Sequence, residues 1–497
     1  MPRDDDDGAG TQEMQLISIE ELRRGENAKK IKASGGVVLD PRKPLRSARA
    51  LIARHYTCGE RRTIHHHSGQ FHAWSGAHYP AAEEAEIRAL IYRFLDAAVR
   101  FDGDGDVVPF DPTRNKVTDV VDALKAEANL PATVQPPAWL DQVADIKADE
   151  IVSCANGLLH LPTRQLLPHT PLFFTPYALE FAYDPKAPAP EEWLGFLKSI
   201  WPDDEEAIKT LQEVFGYFLS VDTSQQKLFL LVGPKRSGKG TIARILTALL
   251  GRDNVSSPTL AELGTNFGLA SLIGKSAAVI GDARLGGKAD QQAIAERLLS
   301  ISGEDSVNVD RKHMPVWTGR LRARFLIITN ILPRLSDASG ALASRFVVLR
   351  IKESFYGRED KALTDRLLRE LPGILNWALD GWHRLSERGH FVMPESSDTT
   401  VRELEDLGSP IAAFVRECCR VGPELRSEIG LTFERWQMWC QERGHERVGT
   451  SQLLGRDLRS VIPNLDTEQK RKPLPGNPNY RERFYTGFEL LREDQQP

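Results

Sequence analysis

Apolar positions follow two rhythms along this chain. Between 226 and 352 they gather in short unbroken runs, "LFLLV" (228–232), "SAAVIGDARL" (276–285), "RFLIITN" (324–330) and "SRFVVLRI" (344–351). Runs that are apolar on both faces predict strands of a parallel sheet, and the helix-like stretches between them predict an α/β layer. Helical spacing also marks "AAEEAEIRALIYRFLDAAVRF" (81–101), 191–225 and 356–390, whereas 101–190 carries many prolines and "DPKAPAPEEW" (184–193) reads as a linker. A further boundary falls at "MPESSD" (393–398), and no internal repeat is visible. The predicted organisation is a flexible segment 1–45 (acidic and Gly-rich, disordered, over its first fifteen residues), a mixed helical accessory domain 46–190, a helical linker or collar 191–225, an α/β core 226–395 and a C-terminal unit 396–497.

Composition adds little that is specific. A chain of 497 residues implies two to four domains, and 41% hydrophobic, 27% charged and 8% aromatic residues are those of an ordinary globular protein. A net charge of -5 excludes a generally basic surface but not local basic patches. No apolar run is long enough to span a bilayer, "MPRDDDDGAG" is not a signal peptide, and the five cysteines lack metal-ligand spacing. A reducing, cytoplasmic location without membrane attachment is expected.

The chemistry concentrates in "KLFLLVGPKRSGKGTIARIL" (227–246). Gly233, Pro234, Lys235, Arg236, Ser237, Gly238 and Lys239 form a Gly-x-x-x-x-Gly-Lys loop between an apolar strand and a helix, the arrangement that cradles phosphate. Gly240 stands where Ser or Thr is usual, so the Mg²⁺ contact passes to Thr241, directly or through water. Lys239 is expected to be exposed in the loop and to reach the β- and γ-phosphates. Asp282 closes the second run and suits Mg²⁺; Asn330 closes the third and suits a water near the γ-phosphate. Arg345 precedes the fourth, as a solvated residue or as a finger toward a neighbour's ATP. In "GEDSVNVDRKHMPVWTGR" (303–320), "VNV" and "VWT" flank a turn with Arg311, Lys312 and His313, which predicts a hairpin with a basic tip.

A "GKGT" ending also suits nucleoside monophosphate kinases. A kinase has no use for a basic hairpin between its strands, and its loop would stand near the N-terminus. The ordered set of loop, Asp282, hairpin, Asn330 and Arg345 resembles a superfamily 3 helicase, and within it the helicase part of phage- and plasmid-encoded primase–helicases. "FHAWSGAHY" (71–79), "IVSCANGLLHLPTRQLLPHTPLFFTP" (151–176) and "WLGFLKSIW" (193–201) resemble the accessory region before such a helicase, so the likeness covers roughly 60–395. It implies an AAA+-like P-loop ATPase core working as a homo-hexameric ring on single-stranded and duplex DNA, with ATP and Mg²⁺. It further implies Lys239 and Thr241 on phosphate and Mg²⁺, Asp282 as the Walker B acid, Asn330 as the sensor, Lys312 and His313 as the DNA-gripping tip, and Arg345 as the trans-acting finger. Ala283 stands where related ATPases carry a second acid, which leaves Glu304 or Asp305 as candidate bases. The chain has too few residues before the accessory region for a primase module, so a separate primase is a candidate partner.

Three other patterns carry candidate chemistry. "FDGDGDVVPFDPT" (101–113) has calcium-loop spacing at Asp102, Asp104 and Asp106, but Val107 and Thr113 break it and a solvated turn is expected. "HHH" (65–67), with His72 and His78, reads as a polar strand edge rather than a metal site. In the C-terminal unit, "LTFERWQMWCQERG" (431–444) puts Phe433, Trp436 and Cys440 on one helical face. "TSQLLGRDLRSVI" (450–462) turns Leu454, Leu458 and Val461 inward and Arg456 and Arg459 outward, and a basic loop and strand follow. That plan predicts a winged-helix-like domain with Arg456 and Arg459 toward DNA; the alternative is a solvated helical cap. The reading overall is an ATP-dependent DNA helicase for replication of a phage, prophage or plasmid element. The alternatives are a remodelling ring ATPase without processive unwinding and a DNA-binding initiator that uses ATP only to assemble.

Overall fold

The computed structural model describes residues 26–141, 146–283, 285, 289–335, 337, 340–444, 448–471 and 481–491. The acidic start at 1–15 and much of the basic loop after 471 lie outside these residues. Two compact units emerge, Met1–Gln142 with His169–Pro176, and Val143–Pro168 with Tyr177–Pro497.

In the first unit, helices α1 (Glu26–Ala33) and α2 (Pro44–His55) precede a three-stranded antiparallel sheet of β1 (Ile64–His67), β2 (Gln70–Ala73) and β3 (Ala81–Ala82). Helices α3 (Glu84–Asp96) and α4 (Arg114–Glu127) follow, and α2, α3 and α4 bury Leu51, Ile91, Leu95 and Leu124 in one core. Asp102 is a turn residue: its carboxylate accepts from the backbone N–H groups of Asp104 and Asp106 at 3.0 and 2.9 Å, on the surface.

The histidine run corrects the polar-edge expectation. His65, His67 and His72 are only 5%, 7% and 8% exposed, because Phe174 packs its ring edge against all three, 5.6–5.8 Å away. The Nε2 of His67 meets Val134 O at 2.9 Å, the Nδ1 of His72 meets Tyr79 O at 3.1 Å, and the Nε2 of His65 is buried without a partner. Burial, with Arg62, His72 and His67 adding to it, pushes His65 down to about 4; burial also lowers His67 and His72.

A pH dependence follows. Unfolded imidazoles take up protons as pH falls through about 6.5, whereas folded His65 resists until about 4, so in that window the unfolded state binds more protons. Stability contributed here is present above pH 6.5 and lost on acidification, up to ~3 kcal/mol for His65 alone near pH 4. In urea titrations of the full chain, His65→Phe should lose less stability than wild type between pH 7 and 5. Equal losses in the two proteins would show that the folded imidazole titrates normally.

The second unit opens with an antiparallel meander, Ile151–Cys154, Gly157–His160 and Gln165–Leu167. Helices α5 (Glu191–Ile200) and α6 (Glu205–Leu219) come next. The sequence places a linker or collar here; in the structure Trp193, Leu197, Phe215 and Phe218 belong to the core beneath the sheet. Trp193 is fully buried, with the rings of Phe215 and Trp377 at 5.4 and 5.6 Å, pairs worth about 0.5–1.5 kcal/mol each beyond the area they bury.

The sheet is wholly parallel. Its strands are β4 (Leu228–Val232), β5 (Val255–Ser256), β6 (Ala277–Ile280), β9 (Arg324–Thr329) and β10 (Phe346–Arg350), in the spatial order β5-β6-β9-β4-β10. Helix α7 (Lys239–Leu250) follows β4, and α8 (Gln291–Ser302) follows β6. The hairpin β7 (Ser306–Arg311) and β8 (Met314–Arg320) is inserted before β9, and the short helix α9 (Ala341–Ser344) precedes β10. Helix α10 (Leu371–Arg388) returns to pack on α6, where Arg384 and Arg388 both reach the buried carboxylate of Glu213.

In the sequence Arg324 is only one charge at the head of an apolar run. Its guanidinium is 2% exposed, donates to the carbonyls of Phe218 and Ser220, and lies over the rings of Tyr217 and Phe218. It thus caps the carbonyl end of α6, where a cation suits both the orphan acceptors and the helix dipole.

The last part has its own core. Leu404, on helix Asp398–Gly408, still belongs to the sheet layer, and the C-terminal core begins at Ile411. The elements run α11 (Pro410–Cys418), β11 (Cys419–Glu428), α12 (Ile429–Glu442), α13 (Ser451–Val461), β12 (Asp466–Arg471) and β13 (Arg481–Leu490), with sheet order β11-β13-β12. Trp436 and Trp439 of α12 stack in that core, beside Cys440, Leu454 and Leu458. Among the described residues no helix is long and apolar enough to cross a membrane.

Candidate functional site

The site is built where β4, β9 and β6 end. Gly233 leaves β4 and donates its N–H to Thr329 O at 3.3 Å, fixing the loop's start to the end of β9. The loop then turns through Arg236 (φ 58°) and Gly238 (φ 89°) into α7. Two constraints require glycine at 238. The backbone is left-handed there, and a Cβ would lie 2.8 Å from the Phe196 ring of α5.

Lys239 differs from its expected exposure, being only 6% exposed. Its ammonium donates to Gly233 O and Pro234 O at 2.7 Å each, to Ser237 Oγ at 3.0 Å and to Asn330 Oδ1 at 3.1 Å. Folded back on its own loop, it exchanges water for carbonyl oxygens. Burial pushes its pKa down to about 8, which leaves it mostly charged at pH 7.

Asn330, one residue beyond β9, is exposed apart from that bond. Asp282, exposed, lies two residues beyond β6, and the N–H of Ala283 donates to Ile328 O at 3.2 Å, keeping this segment beside the end of β9. The structure therefore gathers Lys239, Asn330 and Asp282 at the carboxyl ends of three neighbouring strands, where open α/β sheets take their ligands. Thr241 is half-buried in the first turn of α7, and its Oγ1 accepts from Arg244 at 3.3 Å. A Cβ on Gly240 would meet only Arg244 Nη1 at 3.7 Å, so the missing hydroxyl at 240 is not enforced by crowding. Among the described residues no three His, Cys, Asp or Glu side chains group as a metal cluster.

The remaining candidates lie elsewhere. Leu228 pairs with Phe346 and Val232 with Arg350, so Arg345 sits at the opposite end of the sheet from Lys239. A five-residue strand spans about 16 Å, which no arginine crosses. Its Nη1 donates to Leu299 O at 3.0 Å and Ser302 Oγ at 2.9 Å, at the carbonyl end of α8. Glu304 stands at the same far end, accepting from Thr223 Oγ1 and paired with Arg320 at 3.0 Å. With Asp305 beside it, Glu304 is thereby excluded as a base for the Lys239 site of its own chain.

The hairpin forms with Arg311 opposite Met314 and with Lys312 and His313 exposed at the tip, His313 taking φ 59°. Arg311 Nε donates to Pro315 O at 3.0 Å, while Met314 and Val316 flank the tip at 43% and 56% exposure. On α13, Arg456 pairs with Asp457 at 3.0 Å and Arg459 donates to Gly455 O at 3.3 Å. Arg456 also borders a cleft of about 630 Å³ with Gln292, Glu296 and Leu299 of α8, and its side chain is 75% exposed.

Residues 49–202 match the family described as D5 N terminal like, and residues 231–345, which hold the loop, Asp282, the hairpin, Asn330 and Arg345, match a family of unknown function, DUF5906. Among solved structures the chain is similar to the apo C terminal region of NrS-1 in its A form (11% identity, TM-score 0.48, 89% of this chain and 100% of that one). It is also similar to the apo NrS-1 C terminal region 305–718 (12% identity, TM-score 0.48, 85% of this chain and 88% of that one).

Proposed function

We propose that this protein is an ATP-driven DNA motor of the phage and plasmid primase–helicase kind, which separates strands during replication of a mobile element. The observation that carries the reading is the 3.1 Å bond between Lys239, at the head of α7, and Asn330, at the end of the adjacent parallel strand. A lysine on a glycine-rich loop and a neutral polar residue beside it are what γ-phosphate transfer needs, one to neutralise charge and one to orient water. The five-stranded parallel sheet, in the order β5-β6-β9-β4-β10, supports an AAA+-like core in this reading, and the match of residues 49–202 to a D5 N terminal like family supports the setting.

In this reading the loop amides and Lys239 hold the phosphates of ATP, and Thr241 and Asp282 hold Mg²⁺, which when bound neutralises charge on the phosphate oxygens. Asn330 orients the attacking water. Arg311, Lys312 and His313 grip the DNA backbone inside a homo-hexameric ring. The order α11-β11-α12-α13-β12-β13, with β13 between its partners, suits a winged helix in which α13 presents Arg456 and Arg459 to duplex DNA. A separate primase would supply primers.

The test uses a forked duplex with ATP, with a non-hydrolysable analogue, and with the Lys312→Ala variant. Strand separation should need hydrolysis. Lys312→Ala should lose separation and DNA stimulation, keep basal turnover, and lower the salt slope of DNA binding by about one phosphate contact. Separation supported by the analogue would make the protein an assembling initiator, and unchanged unwinding by Lys312→Ala would reduce the tip to a solvated turn.

A further inference from the structure

We propose that the turn Phe355–Arg358 is a base-recognition element, with Tyr356 stacking on the purine of the bound nucleotide. The inference rests on the nucleotide reading of the Gly233–Thr241 loop and adds the part of the ligand that no residue above addresses. Lys239 is bonded to Asn330, so the γ-phosphate end lies on the β9 side of β4. A nucleotide laid along the loop then directs its base to the other side. There the neighbour is the edge strand β10, and the chain leaving β10 is the segment that carries Tyr356.

That segment is fastened to the loop. Ile351 N–H donates to Val232 O at 2.7 Å, Ser354 Oγ to Lys235 O at 2.8 Å, and Phe355 N–H to Arg236 O at 2.9 Å. Arg236 Nε lies 3.3 Å from Glu359 Oε1. The turn is closed by Arg358 N–H on Phe355 O at 2.8 Å, with Gly357 at φ 77°, the third-position glycine of a type II turn. Phe355 packs against the core, and the Arg358 guanidinium lies 5.9 Å from its ring centre. Tyr356, at the tip between them, is 76% exposed. A rigid turn tied to the phosphate loop thus holds one aromatic face in solvent on the base side. Stacking on such a face needs no hydrogen-bond code and tolerates either purine.

The experiment is calorimetric titration of the full chain with ADP, which has base and phosphates, and with inorganic tripolyphosphate, which has no base. Tyr356→Ala should bind ADP about tenfold more weakly and tripolyphosphate as wild type does, and Tyr356→Trp should match wild type on both. Gly357→Ala, strained at positive φ, should reproduce the selective loss of ADP. Unchanged ADP affinity in Tyr356→Ala overturns the proposal. So does an equal loss for both ligands, which would mean that the residue acts through the loop. Wild type that binds neither ligand removes the loop reading together with base recognition.

Discussion

Arg345→Ala is expected to lower ATP turnover by three to five powers of ten, the range measured for arginine fingers, and Lys239→Ala mixed into the same ring should restore part of it. The sheet register dictates this form of test. Arg345 stands a full strand length from its own Lys239, so any action on a γ-phosphate must be on a neighbour's. In the isolated chain its guanidinium holds Leu299 O and Ser302 Oγ. Releasing two such bonds costs about 1–3 kcal/mol, whereas the expected rate effect corresponds to about 4–7 kcal/mol. On the proposed reading the larger effect would let the arginine leave its cap for a neighbour's phosphate. In mixed rings some interfaces join an intact Lys239 loop to an intact Arg345, so activity should return with a dependence on protein concentration. If assembled mixtures recover nothing while Arg345→Ala melts at a lower temperature, the residue is a cap for α8 and no finger.

Lys239→Ala alone should lower turnover at least 10²–10³-fold, the loss typical when one preorganised donor to a developing oxyanion is removed. Burial sharpens the expectation, because a desolvated ammonium meets phosphate in a low-dielectric site. It also means that alanine removes the three N–H donors shared among four oxygens and loosens the loop, so the variant should show a small local loss of stability. Circular dichroism and DNA binding should be retained, since the core beneath the loop is built from β4, α6 and α7. Near-normal turnover would remove the nucleotide reading.

The parallel sheet was legible because its strands are apolar on both faces, and "VNVDRKHMPVWT" announced the hairpin by its basic turn. The meeting of Lys239 with Asn330 was approachable because both close or follow apolar runs. What escaped depends on partners far away in sequence. "HHH" looks polar until Phe174, more than a hundred residues on, covers it. Lys239 looks exposed because the oxygens that bury its charge belong to the loop backbone, which no side-chain pattern displays. Arg324 passed unnoticed because its acceptors are the carbonyls of Phe218 and Ser220, and Tyr356 because its anchorage is Ser354 and Phe355 on the backbone of 235–236.

On the proposed reading, nucleotide hydrolysis at the Gly233–Thr241 loop is coupled to DNA held by the Lys312 hairpin. Steady-state ATP turnover of the wild-type chain, with Mg²⁺, measured with and without single-stranded DNA, tests it most directly. Turnover that requires Mg²⁺ and rises several-fold with single-stranded DNA is the predicted result. Turnover that is absent in both conditions, or present and indifferent to DNA at every concentration, would contradict it.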